Sequence, residues 1–179
     1  MRRENEALRG SKEAIEAKTK ELAERISRDY KGKDLLVVGV LKGSVIFASE
    51  LIKNITIPCE IDFMAVSSYG SSSETTGVVR ILKDLDSEIS GKHILIVEDI
   101  VDSGVTLSYL LNYLKTRNAS SVEIASLLTK PSRRKVDIDC KYIGFETPDE
   151  FLVGYGLDYA EKYRNLPFIG ILKREVYEK

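Results

Sequence analysis

The most informative stretch of the sequence is ILIVEDIVDSGVTL, residues 94–107, in which an apolar run ends in acidic residues and continues into a loop of small residues. Ligands in open α/β sheets bind beyond the carboxyl ends of the strands. An apolar helical pattern follows the loop, so several backbone N–H groups would face one point at a helix amino terminus. The sequence therefore predicts a phosphate site, to which Ser103 and Thr106 add hydroxyl donors and at which Gly104 allows close approach.

Two adjacent carboxylates, Glu98 and Asp99, stand beside this predicted phosphate site, where they would repel a bare anion. A ribose diol, or a Mg²⁺ ion held largely through water, would remove the conflict if it lay between the carboxylates and the phosphate. A structural alternative exists for the next residues along the chain, because Asp102 or Ser103 could simply cap the following helix. Capping would explain one acidic residue and would leave the pair at the strand end without a purpose.

The surrounding sequence predicts the strands and helices that position these groups. Apolar residues recur at helical spacing over residues 12–30, and further helices are predicted over 44–53 and 105–116. The continuous apolar runs LLVVGV at 35–40 and HILIVEDI at 93–100 are typical of strands that are buried on both faces. Other predicted strands are IDFMAVSSYG, VVRILKDL, VEIASLL, CKYIGFE, FLVGYG and FIGIL.

The order of these elements is a repeated strand and helix with a β-hairpin inserted, which predicts an α/β fold with an open, mostly parallel sheet flanked by helices. Neither a linker nor an internal repeat is visible in the 179 residues, so we expect a single domain over 1–179. The segment SSYGSSSETTG joins the two strands of the hairpin. Its composition fits either a plain solvent loop or a mobile lid over a site.

Composition excludes several other classes of protein. The 27 basic and 28 acidic side chains nearly balance, so no broad field of one sign could hold a nucleic acid duplex or an anionic membrane. The absence of an apolar stretch long enough for a signal peptide or a membrane span predicts a soluble intracellular protein. Cys59 and Cys140 are too few for a disulfide framework. His93 is the only histidine, so any Ser-His-Asp triad would have to use that ring.

Residues 98–106 resemble the phosphoribosyl pyrophosphate loop of the type I phosphoribosyltransferases, with two acidic residues, two apolar residues and then Asp-Ser-Gly-x-Thr. The chain contains neither the Walker A pattern nor G-x-G-x-x-G, the signatures of other nucleotide-binding folds. VGVLKGS, SSYG, LLTKPSRR and GFETPDEFLVGYGLDYAEKYRNLP resemble segments of the hypoxanthine-guanine branch, in the same order. The resemblance implies the type I fold, with a small hood and a β-hairpin that carries a mobile loop.

The resemblance also implies an activity. It implies a purine salvage enzyme that transfers the 5-phosphoribosyl group from phosphoribosyl pyrophosphate to N9 of hypoxanthine or guanine, giving IMP or GMP plus pyrophosphate. It further implies a Mg²⁺ cofactor, a cytoplasmic location, a homodimer or homotetramer, and neither a nucleic acid nor a membrane as partner.

Individual residues receive roles from the same resemblance. Asp102 would be the catalytic residue, acting as general base or proton relay at purine N7. A cis peptide bond between Leu41 and Lys42 would present N–H groups to the pyrophosphate, and Ser68 and Tyr69 would belong to the mobile loop. The implied sets are Glu98, Asp99, Asp102, Ser103, Gly104, Val105 and Thr106 for the phosphoribosyl 5′-phosphate; Lys42, Gly43 and Arg164 for pyrophosphate; Lys130, Phe151, Leu152 and Asp158 for the purine; and Glu98, Asp99 and Asp158 for the metal.

Two alternatives remain open from the sequence. A relative with the same fold could act on xanthine or another base. A regulatory protein could keep the phosphate loop to sense phosphoribosyl pyrophosphate while it binds RNA or DNA through the basic run KPSRRK, residues 130–135. The chain also departs from some family members at Val105, where they carry Lys, and at Ser44, where they carry Gly. Leu152 varies within the family, so the preference among purines stays open.

Overall fold

The structure is a computed structural model that describes residues 2–3, 10–68 and 79–178. Its helices are α1 (Lys12–Asp29), α2 (Val45–Asn54), α3 (Val105–Lys115) and α4 (Arg174–Tyr177), with a 3₁₀ helix at Pro131–Arg133. Its strands are β1 (Arg2–Arg3), β2 (Leu35–Leu41), β3 (Glu60–Ser68), β4 (Val79–Lys83), β5 (His93–Val101), β6 (Ser121–Thr129), β7 (Tyr142–Glu146), β8 (Leu152–Val153) and β9 (Gly170–Ile171).

Six strands form the main sheet in the order β4-β3-β2-β5-β6-β7. All neighbouring strands are parallel except β4, which runs antiparallel to β3 as the second strand of the hairpin. This arrangement confirms the predicted α/β fold with an open, mostly parallel sheet. In a sheet of this kind the carboxyl ends of β2, β5 and β6 lie at one edge, where the loops after them can share a ligand.

The side chains of the central strands alternate between two apolar cores, one on each face of the sheet. Val37 and Leu95 pack in the core that α1 and α2 cover, whereas Leu36 and Ile94 pack in the core that α3 covers. Successive side chains of a strand point to opposite faces, so a strand covered on both sides must be apolar at every position. This requirement explains the continuous apolar runs in the sequence.

The three long helices lie within one residue of their predicted bounds. The sequence analysis missed β1, the 3₁₀ helix and α4, each of which is too short to leave a periodic pattern. Within the described residues, no helix is long and apolar enough to cross a membrane.

A second, smaller sheet has the strand order β1-β9-β8 and is antiparallel throughout. It confirms the predicted hood beside the main sheet. The predicted mobile loop cannot be compared in the same way, because Tyr69 and the rest of 69–78 lie outside the described residues. Ser68 ends β3, but its side chain is likewise outside them.

Candidate active site

The loop between β5 and α3 forms the predicted phosphate site. Gly104 is the residue before α3 and has a left-handed backbone with φ of +84°. A Cβ at this position would meet only the ends of flexible side chains, chiefly that of Ile138, so the backbone conformation is what favours glycine here. A cavity of about 210 Å³ lies against the loop. Its lining residues are Glu98, Ile100, Val101, Asp102, Ser103, Gly104, Thr106 and Leu107.

The side chain of Asp102 does not cap α3, so that alternative is wrong for this residue. Gly104 occupies the N-cap position, and the backbone N–H of Val105 donates to Oγ of Ser103 at 3.3 Å. The Asp102 side chain is 49% exposed, and its carboxylate lies 4.0 Å from Nζ of Lys130. Among the described contacts no backbone N–H donates to this carboxylate, which is therefore free to meet a ligand.

The segment that follows β6 supports the phosphate loop through hydrogen bonds. The carbonyl groups of loop residues 101–103 all accept hydrogen bonds from residues 130–136, so the loop is fixed at successive peptides. The bonds run from Lys130 N to Val101 O at 2.9 Å, Arg134 Nε to Asp102 O at 3.2 Å, Lys135 N to Ser103 O at 2.9 Å and Val136 N to Ser103 O at 3.2 Å.

The same segment was the one basic run that could have contacted a nucleic acid. Arg133 Nε donates to Oδ1 of Asp149 at 2.7 Å, and Arg134 Nη2 donates to Oγ1 of Thr129 at 2.8 Å. Lys130 is only 8% exposed. Lys130 and Arg134 are thus engaged within the protein and Arg133 is paired with Asp149 at the surface, which leaves few free cations for a phosphate backbone and disfavours the regulatory alternative.

Substitution of Arg134 tests whether this support matters for binding. For the phosphoribosyl substrate that the family resemblance implies, we expect Arg134→Ala to raise the KM about 10-fold, because hydrogen bonds from a charged donor to the loop and to Thr129 are lost together. The neighbouring Arg133→Ala is the matched control, since Arg133 contacts Asp149 and not the loop. Equal KM values for the Arg134 variant and the wild type in steady-state assays would contradict the role.

Glu98 and Asp99 form a like-charged pair at the end of β5. Burial raises the pKa of Glu98 well above its ordinary value, and the negative charge of Asp99 raises it further. Burial also raises the pKa of Asp99, although the positive charge of Arg164 and local hydrogen bonds oppose the increase. Two carboxylates in this environment are destabilising unless a cation or hydroxyl donors accompany them.

Because Glu98 and Asp99 are a like-charged pair, we expect Glu98→Gln to stabilise the protein in metal-free buffer, by an amount that depends on pH. The pKa of Glu98 is raised on folding, so its favourable contribution is complete below the ordinary carboxyl pKa and is lost as pH rises through the raised value. A glutamine cannot ionise. The difference in Tm between the variant and the wild type should therefore be small near about pH 4 and larger near about pH 8.

Differential scanning fluorimetry across that pH range measures the effect. Glu24→Gln is the control, because Glu24 is an exposed residue of α1. A Tm difference for Glu98→Gln that did not grow with pH would show that the two carboxylates do not destabilise the folded protein.

The loop after β2 approaches the acidic pair closely. The peptide bond between Leu41 and Lys42 is cis, as the family resemblance implied. A Cβ at Gly43 would overlap the carboxylate of Asp99, and a Cβ at Gly156 would overlap the carbonyl oxygen of Gly43. Three segments that are distant in sequence thus meet at one point, and glycine is needed at two of them.

Arg164 joins this cluster from the chain after β8. Its Nη1 donates to the carbonyl oxygen of Gly156 at 2.7 Å, and its Nη2 lies 3.3 Å from Oδ1 of Asp158. The sequence left open a surface helix over Asp158 and Arg164, but the chain here forms turns, with positive φ at Ala160 and Tyr163. The guanidinium is therefore fixed close to the loop that carries Gly43.

A second cavity, of about 410 Å³, also has Asp102 in its lining. Lys130 lines it, and its Nζ donates to the carbonyl oxygen of Glu150 at 2.7 Å. The described residues that line it are Ile100, Asp102, Lys130, Arg133, Asp149, Glu150, Phe151, Leu152, Leu157, Asp158, Arg174, Tyr177 and Glu178. The four residues predicted to contact a purine are all among them.

Several lining residues of this cavity were missed by the sequence analysis, among them two residues near the carboxyl end of the chain. Arg174 and Tyr177 belong to α4, and the Tyr177 ring lies 4.9 Å from the Phe151 ring, centroid to centroid, at an angle of 30°. Tyr159 meets the same Phe151 ring edge-on at 5.6 Å. Nothing local in the sequence could place them there, because α4 returns to the site only through the pairing of β9 with β8.

The predicted metal ligands are not all brought together. Glu98 and Asp99 are adjacent, but Asp158 pairs with Arg164 and accepts the backbone N–H of Glu161 at 2.9 Å. No group of three or more carboxylate, histidine or cysteine side chains suited to a metal ion occurs among the described residues. Magnesium fits such a site when substrate oxygens and water supply most of its ligands.

The fold and its phosphate loop define a type I phosphoribosyltransferase. A profile of the phosphoribosyl transferase domain family matches residues 10–160. The hypoxanthine-guanine phosphoribosyltransferase of Bacillus subtilis is 52% identical over 178 residues, 99% of this chain and 99% of that protein. The chain therefore belongs to the phosphoribosyl transferase domain family and is an enzyme that transfers a pentosyl group.

Solved structures of relatives agree with this assignment. A hypoxanthine phosphoribosyltransferase from Staphylococcus aureus is 53% identical and matches with a TM-score of 0.93, over 95% of this chain and 92% of that one. A hypoxanthine-guanine phosphoribosyltransferase from Bacillus anthracis is 50% identical and has a TM-score of 0.88, over 92% of this chain and 96% of that one.

Proposed function

We propose that the protein transfers the 5-phosphoribosyl group from phosphoribosyl pyrophosphate to N9 of hypoxanthine or guanine, forming IMP or GMP and releasing pyrophosphate. One observation carries the proposal: Asp102 lines both the phosphate-loop cavity and the cavity that contains Lys130 and Phe151. A ribose whose 5′-phosphate lay in the first cavity would present its C1′ toward a purine in the second. The names of the relatives support the choice of purines.

Asp102 is assigned the proton transfer. The reaction forms the bond from N9 to C1′ and breaks the bond from C1′ to the pyrophosphate oxygen, so the purine must lose one proton. The exposed carboxylate of Asp102, which makes no hydrogen bond to the backbone among the described contacts, can accept that proton at N7. A carboxylate at this position also stabilises positive charge that develops on the ribose.

Lys130 and Phe151 are assigned to purine recognition. Lys130 is buried, and its Nζ donates to a backbone carbonyl that a ligand oxygen could replace. A 6-oxopurine supplies an acceptor to this ammonium group, whereas the 6-amino group of adenine supplies donors and would leave it unpaired. The Phe151 ring provides a stacking surface, and Leu152 and Asp158 complete the wall of the cavity.

Lys42, Gly43 and Arg164 are assigned to pyrophosphate. Gly43 lies in the loop that packs against Gly156, to which Arg164 donates, and the fork of the Arg164 guanidinium suits phosphate oxygens. Ser103, Gly104, Val105 and Thr106 are assigned to the 5′-phosphate at the start of α3. The loop role of Ser68 and Tyr69 rests on the family resemblance alone, because Tyr69 lies outside the described residues.

Glu98 and Asp99 are assigned to the ribose hydroxyls and to the water shell of Mg²⁺, with Asp158 toward a second ion. The raised pKa of the pair supports this, since a bound cation would favour the ionised form of both carboxylates. Magnesium, when bound, neutralises the charge that builds up on the leaving pyrophosphate.

The cellular location and the number of subunits are also proposals. Cys59 and Cys140 are free and only partly buried, which suits the reducing conditions of the cytoplasm. A homodimer or homotetramer, without nucleic acid or membrane partners, is expected from the family. Sedimentation velocity would give the subunit number directly.

The reaction is tested by chromatography of the products. Protein incubated with phosphoribosyl pyrophosphate, hypoxanthine and Mg²⁺ should form IMP and pyrophosphate in equal amounts, and chelation of Mg²⁺ by EDTA should stop both. The absence of IMP under conditions in which the protein binds phosphoribosyl pyrophosphate would contradict the proposal.

A further inference from the structure

Glu161 lies between the two cations that are assigned to pyrophosphate. Its Oε2 is 3.0 Å from Nζ of Lys42, and its Oε1 is 3.0 Å from Nη2 of Arg164. One carboxylate thus joins a lysine of the loop after β2 to an arginine of the chain after β8. No sequence pattern connects these residues, since Glu161 stands in a run of charged residues.

The backbone around Glu161 holds its side chain at this place. Tyr159 and Lys162 exchange two backbone hydrogen bonds of 3.0 Å, which closes a two-residue turn at Ala160 and Glu161. Both turn residues have positive φ, +50° and +62°, which residues other than glycine rarely adopt. The backbone N–H of Glu161 also donates to Oδ2 of Asp158. Residues kept in such conformations by their surroundings cluster at functional sites.

Lys42 and Arg164 form an anion-binding site in which the bound anion is the Glu161 carboxylate. Two carboxylate oxygens, each facing one cation, imitate two oxygens of a phosphate group. Hydrogen bonds from Lys42 and Arg164 lower the pKa of Glu161, so the carboxylate is ionised at neutral pH. A pyrophosphate that used the same Lys42 and Arg164 would have to displace Glu161 or meet its negative charge.

We propose that Glu161 is an internal competitor for the pyrophosphate group: its carboxylate occupies Lys42 and Arg164 when the anion is absent and yields them when the anion binds. The inference rests on the proposed pyrophosphate role of these two cations. Competition of this kind keeps the two side chains in place, lowers the affinity for pyrophosphate and favours its release after the reaction.

The opposite role for Glu161 makes a different prediction. If the carboxylate only oriented Lys42 and Arg164, its removal would leave both side chains without a fixed orientation, and pyrophosphate would bind more weakly. Competition predicts tighter binding. Glu161→Gln separates the two, because the amide keeps the shape of the side chain and loses the charge.

The test is calorimetric titration of the full-length protein with inorganic pyrophosphate in Mg²⁺ buffer. The Kd of Glu161→Gln should be about 3- to 10-fold lower than that of the wild type, the range expected when two exposed ion pairs no longer compete. Inhibition of IMP formation by pyrophosphate should strengthen by the same factor. Glu24→Gln, which removes an exposed carboxylate of α1, should leave the pyrophosphate Kd unchanged.

A second ligand distinguishes competition from a general gain in positive potential. The affinity for IMP, whose phosphate would lie at the start of α3, should change less than about twofold in Glu161→Gln. An unchanged or higher pyrophosphate Kd in Glu161→Gln, or an equal gain for IMP, would overturn the inference while leaving the proposed reaction intact. A wild-type protein that bound no pyrophosphate would overturn the assignment of Lys42 and Arg164 as well.

Discussion

Asp102→Asn is expected to lower kcat for IMP formation by about 10²- to 10⁴-fold, the usual contribution of a general base. The amide is the same size as the carboxylate and can still lie 4.0 Å from Lys130, but it cannot accept the purine proton. The Tm and the KM for phosphoribosyl pyrophosphate should change little, because the Asp102 side chain does not cap α3. Single-turnover kinetics would isolate the chemical step.

Asp149→Asn provides the matched control for this experiment. Asp149 lines the same cavity and pairs with Arg133, but it does not line the phosphate-loop cavity. We expect its kcat to stay within about twofold of the wild type, as for other surface ion pairs. A single-turnover rate of Asp102→Asn that equalled the wild-type rate would exclude Asp102 as the proton acceptor.

Gly156→Ala is expected to lower both the stability and the kcat/KM for phosphoribosyl pyrophosphate, the latter by about 10²-fold, as misplaced positioning groups do. Gly156 has φ of +99°, and a Cβ there would overlap the carbonyl oxygen of Gly43. Backbone cannot move aside as a flexible side chain can. The loop after β2 must therefore shift, which changes the contact of Gly43 with the carboxylate of Asp99.

Gly32→Ala separates the clash from the backbone conformation. Gly32 also has positive φ, +75°, but a Cβ there would have no neighbour within 4 Å. This variant should lose about 1 kcal/mol of stability and keep its kcat/KM. If Gly156→Ala behaved in the same way, the close contact between the two loops would not be needed for activity. Thermal melts and initial rates of both variants give the comparison.

Local patterns predicted the parts of the fold that one segment determines by itself. The alternation of β2 and β5 between two cores, the helical spacing in α1 and the small-residue loop before α3 are all visible within short windows of sequence. The phosphate site could therefore be located from the sequence. The His93 ring does not belong to this site. It lies at the amino end of β5, where it forms a hydrogen bond of 2.7 Å with Ser121.

Contacts between distant segments could not be predicted in this way. Arg134 holds the phosphate loop, Glu161 joins two cations and Tyr177 packs against Phe151 only because the fold brings their segments together. From the sequence alone, each of these side chains would be expected at the surface, since charged residues and a terminal tyrosine are mostly exposed. The family resemblance implied a purine role for Lys130, and the structure supplies its contacts with Asp102 and the Glu150 carbonyl.

A competition assay tests the central claim, that one purine cavity with a buried lysine meets the phosphate loop at Asp102. Equal amounts of hypoxanthine, guanine, xanthine and adenine would compete for limiting phosphoribosyl pyrophosphate in Mg²⁺ buffer, with all four nucleotide products separated and counted. We predict that IMP and GMP dominate and that AMP is absent, because the 6-amino group of adenine offers Lys130 no acceptor where the 6-oxopurines carry an oxygen. AMP as a major product, or no nucleotide from any of the four bases, would contradict the account.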